Sequence, residues 1–379
     1  MKIVFVSNFL NHHQIALCEA LRKRCEDFYF VATQEIKNIG FQKSTDAEYV
    51  VKYYSNEERL KAEVLIMNAD AVIFGACPNE LIEIRMKENK LSFLFSERFL
   101  KKGVWRRFIP RTCKAIQDRI AKYYDKKMYS LCASAYLSYD LSFFGFSQDK
   151  CLKWGYFPEI KTYEDINELL MRKKKASILW VGRLIEWKHP ETVILLAKHL
   201  KKTGYAFRLS IVGSGPLEAK LLKIIKKEKL EGCVQMLGPM SPEQVRNHME
   251  QSEVFIFTSN RYEGWGAVLN EAMNSGCSVV ASHAIGSVPF LIEDTKNGLI
   301  YKNGNLVGLY KKVKWLLDNP EMSRALGEKA YQTITNQWNA ENAAERLCHL
   351  IENLYNGDME FYQKGVCSQA DVIKENWYR

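Results

Sequence analysis

The sequence contains no run of about 18 consecutive apolar residues, the length that a membrane-spanning helix requires. Its first residues, MKIVFVSNFLNHHQ, lack the long apolar core and the small-residue cleavage site of a signal peptide. We therefore expect a cytoplasmic protein that does not span a membrane. Peripheral association with the inner face of the membrane is left open.

Metal and disulfide patterns are also missing. The 10 cysteines include no C-x-x-C pair and no cluster with histidine at metal-ligand spacing, so we interpret them as reduced thiols. There is no Asp-x-Asp, the carboxylate pair that commonly holds a divalent cation on a diphosphate. We expect no metal and no cofactor.

The overall composition is that of a folded protein. The 379 residues are 47% hydrophobic and 26% charged, with 9 Pro and 21 Gly, which excludes disordered, collagen-like and coiled-coil chains. Short apolar runs alternate with amphipathic helical patterns along the whole chain, and this alternation is typical of parallel sheets. The predicted strands are 2–7, 28–33, 71–76, 92–97, 178–183, 208–215, 234–240, 254–259 and 278–282.

These patterns predict an α/β protein with two Rossmann-like, doubly wound domains facing a central cleft. The predicted ranges are 1–165, 170–355 and a C-terminal tail, 356–379, whose docking is left open. Ligands of such sheets bind at the carboxyl ends of the strands, so the loops that follow the strands are the places to look for chemistry.

One such loop carries two carboxylates. The stretch RYEGWGAVLNEAMNSG (261–276) holds Glu263 in a loop and Glu271 inside the following helix. Free N–H groups at the helix start, with Gly264 and Gly266 permitting close backbone approach, would favour an anion such as a diphosphate. The alternative is that Glu263 caps the helix and Glu271 is a solvated helix residue.

The stretch EGWGAVLNEAMNSG resembles the Glu, seven residues, Glu signature of the retaining family-4 glycosyltransferases, which have the two-domain GT-B fold and a group-1 glycosyl transferase domain. Four further segments fit that family in order, and the resemblance covers about residues 176–345. These segments are VGRLIEWKHPE (181–191), IVGSGP (211–216), LGPMSPEQV (237–245) and SHAIGSVPFLIEDTKNGLI (282–300).

The resemblance implies a nucleoside-diphosphate sugar donor of UDP or GDP type, bound by the second domain. Two cations at the end of a strand, Arg183 and Lys188, match the family's pyrophosphate-binding pair and can neutralise the leaving diphosphate. Both are assigned catalytic roles together with Glu263. The full set of implied donor residues is Arg183, Lys188, Gly213, Gly238, Met240, Glu263, Gly264, Trp265, Gly266, Ala267, Val268 and Glu271.

The first domain is expected to bind the acceptor. Asn11, His12 and His13 follow the first strand and could touch the acceptor, or they could serve only the start of a helix. Glu97, after the strand 92–97, is a candidate acceptor-side base, unless it only pairs with Arg98. Cys77 is interpreted as a core thiol rather than a nucleophile.

Residues 98–127 are strongly basic, with Trp, Phe and Tyr at three- and four-residue spacing, and could form an amphipathic helix that binds an anionic membrane surface. A solvated helix is an equal alternative, and no nucleic-acid motif accompanies the charge. The basic residues are Arg98, Lys101, Lys102, Arg106, Arg107, Arg111, Lys114, Arg119, Lys122, Lys126 and Lys127, against Asp118 and Asp125.

Together these features predict a metal-independent, retaining glycosyltransferase that acts on a glycan or lipid-linked acceptor in cell-surface polysaccharide or glycoconjugate assembly. Two other functions are kept open: a nucleotide-sugar epimerase of related fold, which would need more acid and base groups, and a non-catalytic nucleotide-sugar binder.

Overall fold

A computed structural model describes residues 1–35, 47–358 and 361–378. The chain divides into two compact units, one formed by Met1–Glu159 and Gln337–Lys374, the other by Ile160–Asn336 and Glu375–Arg379. Within the described residues, no helix is both long enough and apolar enough to cross a membrane.

Within residues 1–35 and 47–159 the structure describes seven strands with helices between them. The elements in chain order are β1 (Lys2–Ser7), α1 (His12–Arg24), β2 (Asp27–Ala32), β3 (Val50–Lys52), α2 (Arg59–Asn68), β4 (Ala71–Phe74), α3 (Asn79–Lys87), β5 (Ser92–Ser96), α4 (Pro110–Arg119), β6 (Met128–Cys132), α5 (Leu137–Ser142) and β7 (Cys151–Lys153). Short 3₁₀ helices occupy Val104–Phe108, Ala121–Tyr123 and Gln148–Lys150.

The remaining elements, again in chain order, begin with α6 (Ile166–Arg172), β8 (Lys174–Val181), α7 (Pro190–Lys202), β9 (Arg208–Val212), α8 (Glu218–Lys227), β10 (Val234–Gly238), α9 (Pro242–Gln251) and β11 (Ser252–Phe257). They continue with α10 (Val268–Asn274), β12 (Ser278–Ser282), α11 (Val288–Leu291), β13 (Leu299–Tyr301), α12 (Leu306–Asp318), α13 (Pro320–Asn336) and α14 (Ala340–Asn356). A further 3₁₀ turn covers Glu186–Lys188.

Both sheets are entirely parallel and doubly wound. The first has the order β3-β2-β1-β4-β5-β6-β7 and the second β10-β9-β8-β11-β12-β13. Central strands are covered by helices on both faces, which is why β4 and β12 are buried along their whole length. The predicted α/β class with two Rossmann-like domains is confirmed.

The nine predicted strands are all present, with ends that differ by a few residues. Four strands were missed: β3, β6, β7 and β13. Three of them have only three residues, and β6 reads MYSLC, whose serine and cysteine weaken the apolar signal although every residue is buried.

The predicted range 170–355 for the second domain needs correction, because α14 packs on the first unit. Arg24 at the end of α1 forms salt bridges with Glu341 and Glu345, 3.5 and 3.2 Å away. The Tyr355 hydroxyl donates to the carbonyl oxygen of Asp70 at 2.5 Å. These partners are more than 280 positions apart in sequence, so spacing could not reveal them.

The C-terminal tail contacts both units, one after the other. The amide of Cys367 donates to Lys153 O at 2.8 Å, and Ala370 N donates to Cys151 O at 2.8 Å, so the tail lies along β7. Farther on, the Tyr378 hydroxyl donates to Ile300 O at 2.6 Å in the second unit. Residues 359, 360 and 379 of the predicted tail lie outside the described residues.

The basic segment 98–127 is not the single amphipathic helix that the sequence suggested. It is divided between the 3₁₀ helices Val104–Phe108 and Ala121–Tyr123 and the ten-residue α4. Gly103, at φ 116°, precedes the first turn, and Pro110 starts α4 without donating an amide hydrogen. Some of its cations, among them Arg98 and Lys101, form salt bridges, whereas others do not.

Candidate functional site

The loop after β8 brings Lys188 to the carboxyl edge of the second sheet. A 3₁₀ turn ends at Lys188, and His189 then adopts a left-handed conformation at φ 50° before Pro190 begins α7. Such a conformation costs a non-glycine residue about 1 kcal/mol or more, so neighbouring contacts must maintain it. The His189 imidazole has two of them, Glu191 Oε1 at 2.9 Å and Asn260 Nδ2 at 3.0 Å.

The loop after the adjacent strand β11 brings Glu263 to the same edge. Thr258 follows this strand, accepts a 2.9 Å hydrogen bond from the buried indole of Trp180, and donates to Lys188 O at 2.5 Å. Asn260 N donates to Trp187 O at 2.9 Å. The two loops are therefore linked by hydrogen bonds to the backbone carbonyl oxygens of Trp187 and Lys188, in addition to the contact between Lys188 and Glu263.

Lys188 and Glu263 form a salt bridge across these loops. The distance from Lys188 Nζ to Glu263 Oε2 is 2.6 Å, and the two side chains are only 13% and 15% exposed. Ser259 Oγ donates to the same carboxylate oxygen at 2.9 Å. The pair is thus a largely desolvated charge pair, in which removal of one member leaves the other poorly compensated.

Arg183, five positions before Lys188, is an exposed cation at the end of β8. Its guanidinium lies over the Trp187 ring, 5.6 Å from the centroid, and among the described residues it makes no salt bridge. A planar guanidinium of this kind is suited to bidentate binding of a phosphate. The sheet edge therefore presents one neutralised and one available cation.

Two predicted glycines bring neighbouring strands together at this edge. Gly213, at φ 132°, donates its amide to Gly238 O at 2.8 Å, and Gly238 has φ 71°. A Cβ added to Gly213 would lie 1.9 Å from Gly182 O in the loop that leads to Arg183. Gly213, in the turn Gly213-Ser214-Gly215, is therefore needed for the close packing of two backbone segments, independently of any role in ligand binding.

The segment after Glu263 serves the core as much as the surface. Trp265 is fully buried, and its indole donates to Asn270 Oδ1 at 2.9 Å, so its side chain faces the interior although the sequence placed it among the donor residues. A Cβ on Gly266 would lie 2.5 Å from the Phe257 ring. The other predicted positions here are the buried Gly264 and the half-buried Ala267, Val268 and, after β10, Met240.

Glu271 lies in the first turn of α10, a helix of only seven residues. Burial raises the pKa of the Glu271 carboxyl, and the positive charge of Arg246 acts in the opposite direction. The structure shows no direct contact between Glu271 and the Lys188–Glu263 pair. Its assignment to the donor stays a prediction.

Thr258, Asn260 and His189 link the two loops, and Ser259 donates to Glu263, but none of the four was singled out from the sequence. His189 lies within the segment VGRLIEWKHPE, Thr258 and Ser259 end the predicted strand 254–259, and Asn260 follows that strand. Polar residues at the end of a buried parallel strand were the available signal.

The first unit contains a separate cavity of about 900 Å³ at the carboxyl ends of β1, β4 and β5. Its lining is mostly polar and includes Asn11 and Glu97 from the predicted acceptor set, whereas His12 and His13 are not among the lining residues. Cys77 also lines it, and burial raises the pKa of this thiol, which disfavours the thiolate that a nucleophile would need.

The alternative that Glu97 pairs with Arg98 is wrong. Glu97 forms a salt bridge with Lys101, one turn away. Arg98 is buried and contacts Asp140, with 2.8 Å between Arg98 Nη2 and Asp140 Oδ1, while Leu100 N donates to the same carboxylate. The buried carboxylate of Asp140 was the stronger partner because neither it nor Arg98 retains water to compete for their hydrogen bonds.

Asn11, His12 and His13 form the start of α1. Asn11 accepts a 3.0 Å hydrogen bond from His13 N and completes a capping box with Gln14. The His12 and His13 rings lie against each other, with 3.7 Å between centroids. The structure therefore shows the helix-start role directly, while an acceptor contact by these residues stays a prediction.

His13 supplies a test of pH-dependent stability. Burial, and secondarily the nearby charge of His12, lowers the pKa of His13 to about 4, and its Nδ1 is buried with no hydrogen-bond partner in the described part of the chain. Because the unfolded chain binds this proton more readily, stability should fall as the pH drops from about 6.5 to about 4, by up to about 3 kcal/mol.

His13→Gln should therefore flatten the decline of the unfolding temperature of the first unit between pH 6.5 and pH 4. Differential scanning calorimetry at closely spaced pH values measures it. His199→Gln, which removes an exposed histidine of the second unit, is the control. An unchanged slope in His13→Gln would show that His13 does not titrate in this range.

Comparison with known proteins gives a family match within the second unit. Residues 162–333 match the model of the family described as glycosyl transferases group 1. We refer to the matched residues, 162–333, as the group 1 domain. This match includes β8 to β13 and every predicted donor residue from Arg183 to Glu271, so the salt bridge between Lys188 and Glu263 lies inside the group 1 domain.

Relatives of known name match about half of the chain. The poly(ribitol-phosphate) alpha-N-acetylglucosaminyltransferase of Staphylococcus aureus is 28% identical over 173 residues, which are 46% of this chain and 34% of that protein. The amylovoran biosynthesis glycosyltransferase AmsK of Erwinia amylovora is 29% identical over 182 residues, 47% of this chain and 44% of that protein. The chain thus spans less than half the length of these relatives.

Solved structures resemble a larger part of the chain. Alr3699/HepE of Anabaena, solved in complex with UDP, has a TM-score of 0.69 at 14% identity and covers 93% of this chain and 100% of its own. A point mutant of TarM from S. aureus has a TM-score of 0.58 at 20% identity, with 76% and 58% coverage. This similarity shows the fold, the GT-B class with two Rossmann-like domains.

Proposed function

We propose that this chain is a glycosyltransferase that moves a sugar from a nucleoside diphosphate, of UDP or GDP type, to a glycan or lipid-linked acceptor. The observation that carries the proposal is the desolvated Lys188–Glu263 pair beside the available guanidinium of Arg183, within a group 1 domain. The names of AmsK and of a putative colanic acid glycosyltransferase, WcaL of Escherichia coli, support cell-surface polysaccharide assembly as the setting.

The two cations have complementary parts in the proposed reaction. When the bond between the anomeric carbon and the diphosphate breaks, the bonding electrons leave with the diphosphate, and its growing charge is met by Arg183 and Lys188. Glu263 holds the Lys188 ammonium in place, and its carboxylate would accept hydrogen bonds from sugar hydroxyls. The acceptor hydroxyl oxygen then bonds to the anomeric carbon on the same face of the sugar, and its proton passes to the departing diphosphate. Attack on that face retains the anomeric configuration.

Metal independence belongs to the same proposal. The cationic groups at the sheet edge supply positive charge that a divalent cation would otherwise provide. Transfer should therefore persist in excess EDTA. A requirement for Mg²⁺ or Mn²⁺ would contradict this part of the proposal and leave the donor class unaffected.

Donor class can be tested by ligand-induced stabilisation. A UDP-, GDP- or ADP-sugar that binds the group 1 domain should raise the unfolding temperature by several degrees at roughly 100 times its Kd. Arg183→Ala should reduce this shift, because Arg183 is exposed and its loss should not disturb the fold. Equal shifts for wild type and Arg183→Ala would contradict the assigned phosphate site.

Product analysis separates the remaining alternatives. Incubation of the stabilising donor without acceptor should leave its sugar unchanged apart from slow hydrolysis, as judged by NMR. An isomerised nucleotide sugar would instead indicate an epimerase. A donor that binds but neither transfers nor hydrolyses with any glycan or lipid fraction would indicate a non-catalytic binder.

A further inference from the structure

The surface of the first unit has a row of exposed side chains at every third position. Lys102, Trp105, Phe108, Arg111 and Lys114 are all exposed, and we refer to these five residues as the interfacial row. Trp105 is 57% exposed and Phe108 73% exposed. Phe108 is the most exposed large hydrophobic side chain in the described part of the chain.

The local helix type explains why the two rings share one side. Trp105 and Phe108 lie in the 3₁₀ helix Val104–Phe108, where residues three apart stand one above the other. In an α-helix the same spacing would offset the two side chains by about 60° around the helix axis. Gly103 and Pro110, which bound this turn, therefore place the two rings together on the surface.

Eight of the eleven cations of the segment can be sorted by whether they form a salt bridge. Arg98 is paired with Asp140, Lys101 with Glu97, and Lys122 with Glu83 and Asp118. The cations of the interfacial row and its flanks form no salt bridge with any described residue; they are Lys102, Arg106, Arg107, Arg111 and Lys114. The charges of the first set are neutralised by carboxylates of the fold, and those of the second set are left for solvent or a partner.

The flanking arginines also lie against aromatic rings. The Arg107 guanidinium is 4.7 Å from the Phe108 ring centroid and 4.2 Å from that of Phe143, and Arg106 is 5.7 Å from that of Trp105. Cations and aromatic rings are therefore interleaved over a single short segment. The inner side of the same segment, at Arg98, Phe99 and Lys101, lines the cavity of the first unit.

We propose that the interfacial row docks this chain on an anionic lipid bilayer. The apolar rings would enter the boundary between headgroups and acyl chains, and the uncompensated cations would contact acidic headgroups. A double-stranded nucleic acid would neutralise the cations through its phosphates but leave Phe108 in water, whereas a bilayer accounts for both observations. This inference concerns the first unit and is independent of the proposed sugar transfer.

Flotation with phosphatidylcholine vesicles containing 0 to 50% phosphatidylglycerol tests the proposal on the full chain. Wild-type protein should bind increasingly with phosphatidylglycerol content, and binding should weaken with added salt. Arg111→Gln/Lys114→Gln should lower the partition coefficient roughly 30-fold at low salt, at about 1 kcal/mol per basic residue. Trp105→Ala/Phe108→Ala should lower it at least about tenfold and do so at high salt as well.

The matched charge control is Lys226→Gln/Lys227→Gln, which removes two exposed lysines of α8 in the second unit and should bind vesicles as wild type does. The matched apolar control is Met322→Ala, at a side chain 49% exposed on α13. All variants should keep the wild-type unfolding temperature, since the substituted side chains are exposed.

Several results would overturn the proposal. These are no binding of wild type to vesicles with 50% phosphatidylglycerol, equal binding to neutral and anionic vesicles, and no loss in either double variant. Binding of single-stranded RNA at 150 mM salt that both double variants abolish while vesicle binding persists would assign the row to nucleic acid. A dimer in mass photometry that Trp105→Ala/Phe108→Ala dissociates would assign it to a second copy of the chain. A donor-induced thermal shift that survives in every variant would show that the group 1 domain is unaffected, whichever result is found.

Discussion

Lys188→Ala is expected to lower kcat for sugar transfer by about 10²–10³-fold, the usual effect of removing one group that stabilises developing charge. Lys188 is suited to this part because its ammonium lies 2.6 Å from Glu263 Oε2 and is only 13% exposed, so bulk water screens it weakly. Initial rates with the donor identified by thermal shift, at saturating concentration, measure the effect.

The reciprocal variant Glu263→Gln separates charge from shape. The amide preserves the side-chain volume and can still accept from Ser259, 2.9 Å away in the wild-type chain, but it no longer balances the Lys188 charge. We expect a loss of the same order. The double variant should lose little more than either single one, because the two side chains act as a unit.

The matched control breaks another salt bridge of the group 1 domain. Lys198 Nζ lies 3.0 Å from Glu228 Oε1 on the surface, where such a pair contributes about 0–1 kcal/mol. Lys198→Ala should keep wild-type transfer. Transfer by Lys188→Ala within threefold of wild type would contradict the assignment of the site.

Gly213→Ala is expected to have the largest effect on stability, with a loss of more than about 4 kcal/mol in the group 1 domain. Its added Cβ would lie 1.9 Å from Gly182 O, a backbone atom held by the bond from Gly182 N to Val212 O. Neither strand can move without breaking the ladder between β8 and β9. Thermal unfolding with circular dichroism should show a greatly lowered or absent transition for this unit.

Gly204→Ala is the control that isolates this clash. Gly204 also has a positive φ, 81°, but no atom lies within 4 Å of its added Cβ, so only the backbone strain of about 1–2 kcal/mol remains. If Gly213→Ala and Gly204→Ala lower the unfolding temperature equally, the predicted clash between the added Cβ of residue 213 and Gly182 O does not determine the loss of stability.

The strand edges of the second unit were accessible from the sequence because local patterns determine them. VFIF and ILWV are short apolar runs that must be buried, and whatever follows such a strand lies at its carboxyl edge. That reasoning placed Arg183, Lys188 and Glu263 at one edge, and the structure brings Lys188 and Glu263 into contact. It could not show that Trp265 faces the core, because the sequence does not distinguish a tryptophan that is buried from one that binds a ligand.

The salt-bridge partners that lie far apart in the sequence could not be predicted from it. The salt bridges from Arg24 to Glu341 and Glu345 and the pairing of Arg98 with Asp140 depend on packing between distant elements. No local pattern encodes such choices, because any carboxylate of the chain is an equally good partner until the fold selects one. The same reason explains why α14 was assigned to the wrong domain.

The order of residues alone was enough to predict two doubly wound α/β units, and the loops after their strands as the place of Lys188 and Glu263, because alternation of strands and helices has few compact solutions. Packing in three dimensions decided which charged side chains are neutralised by salt bridges and which remain unpaired at the surface. Arg98 and Lys101 are neutralised by Asp140 and Glu97, whereas Arg111 and Lys114 keep their charge at the surface. Desolvation makes that difference, since a buried charge must find a partner and an exposed one is stabilised by water.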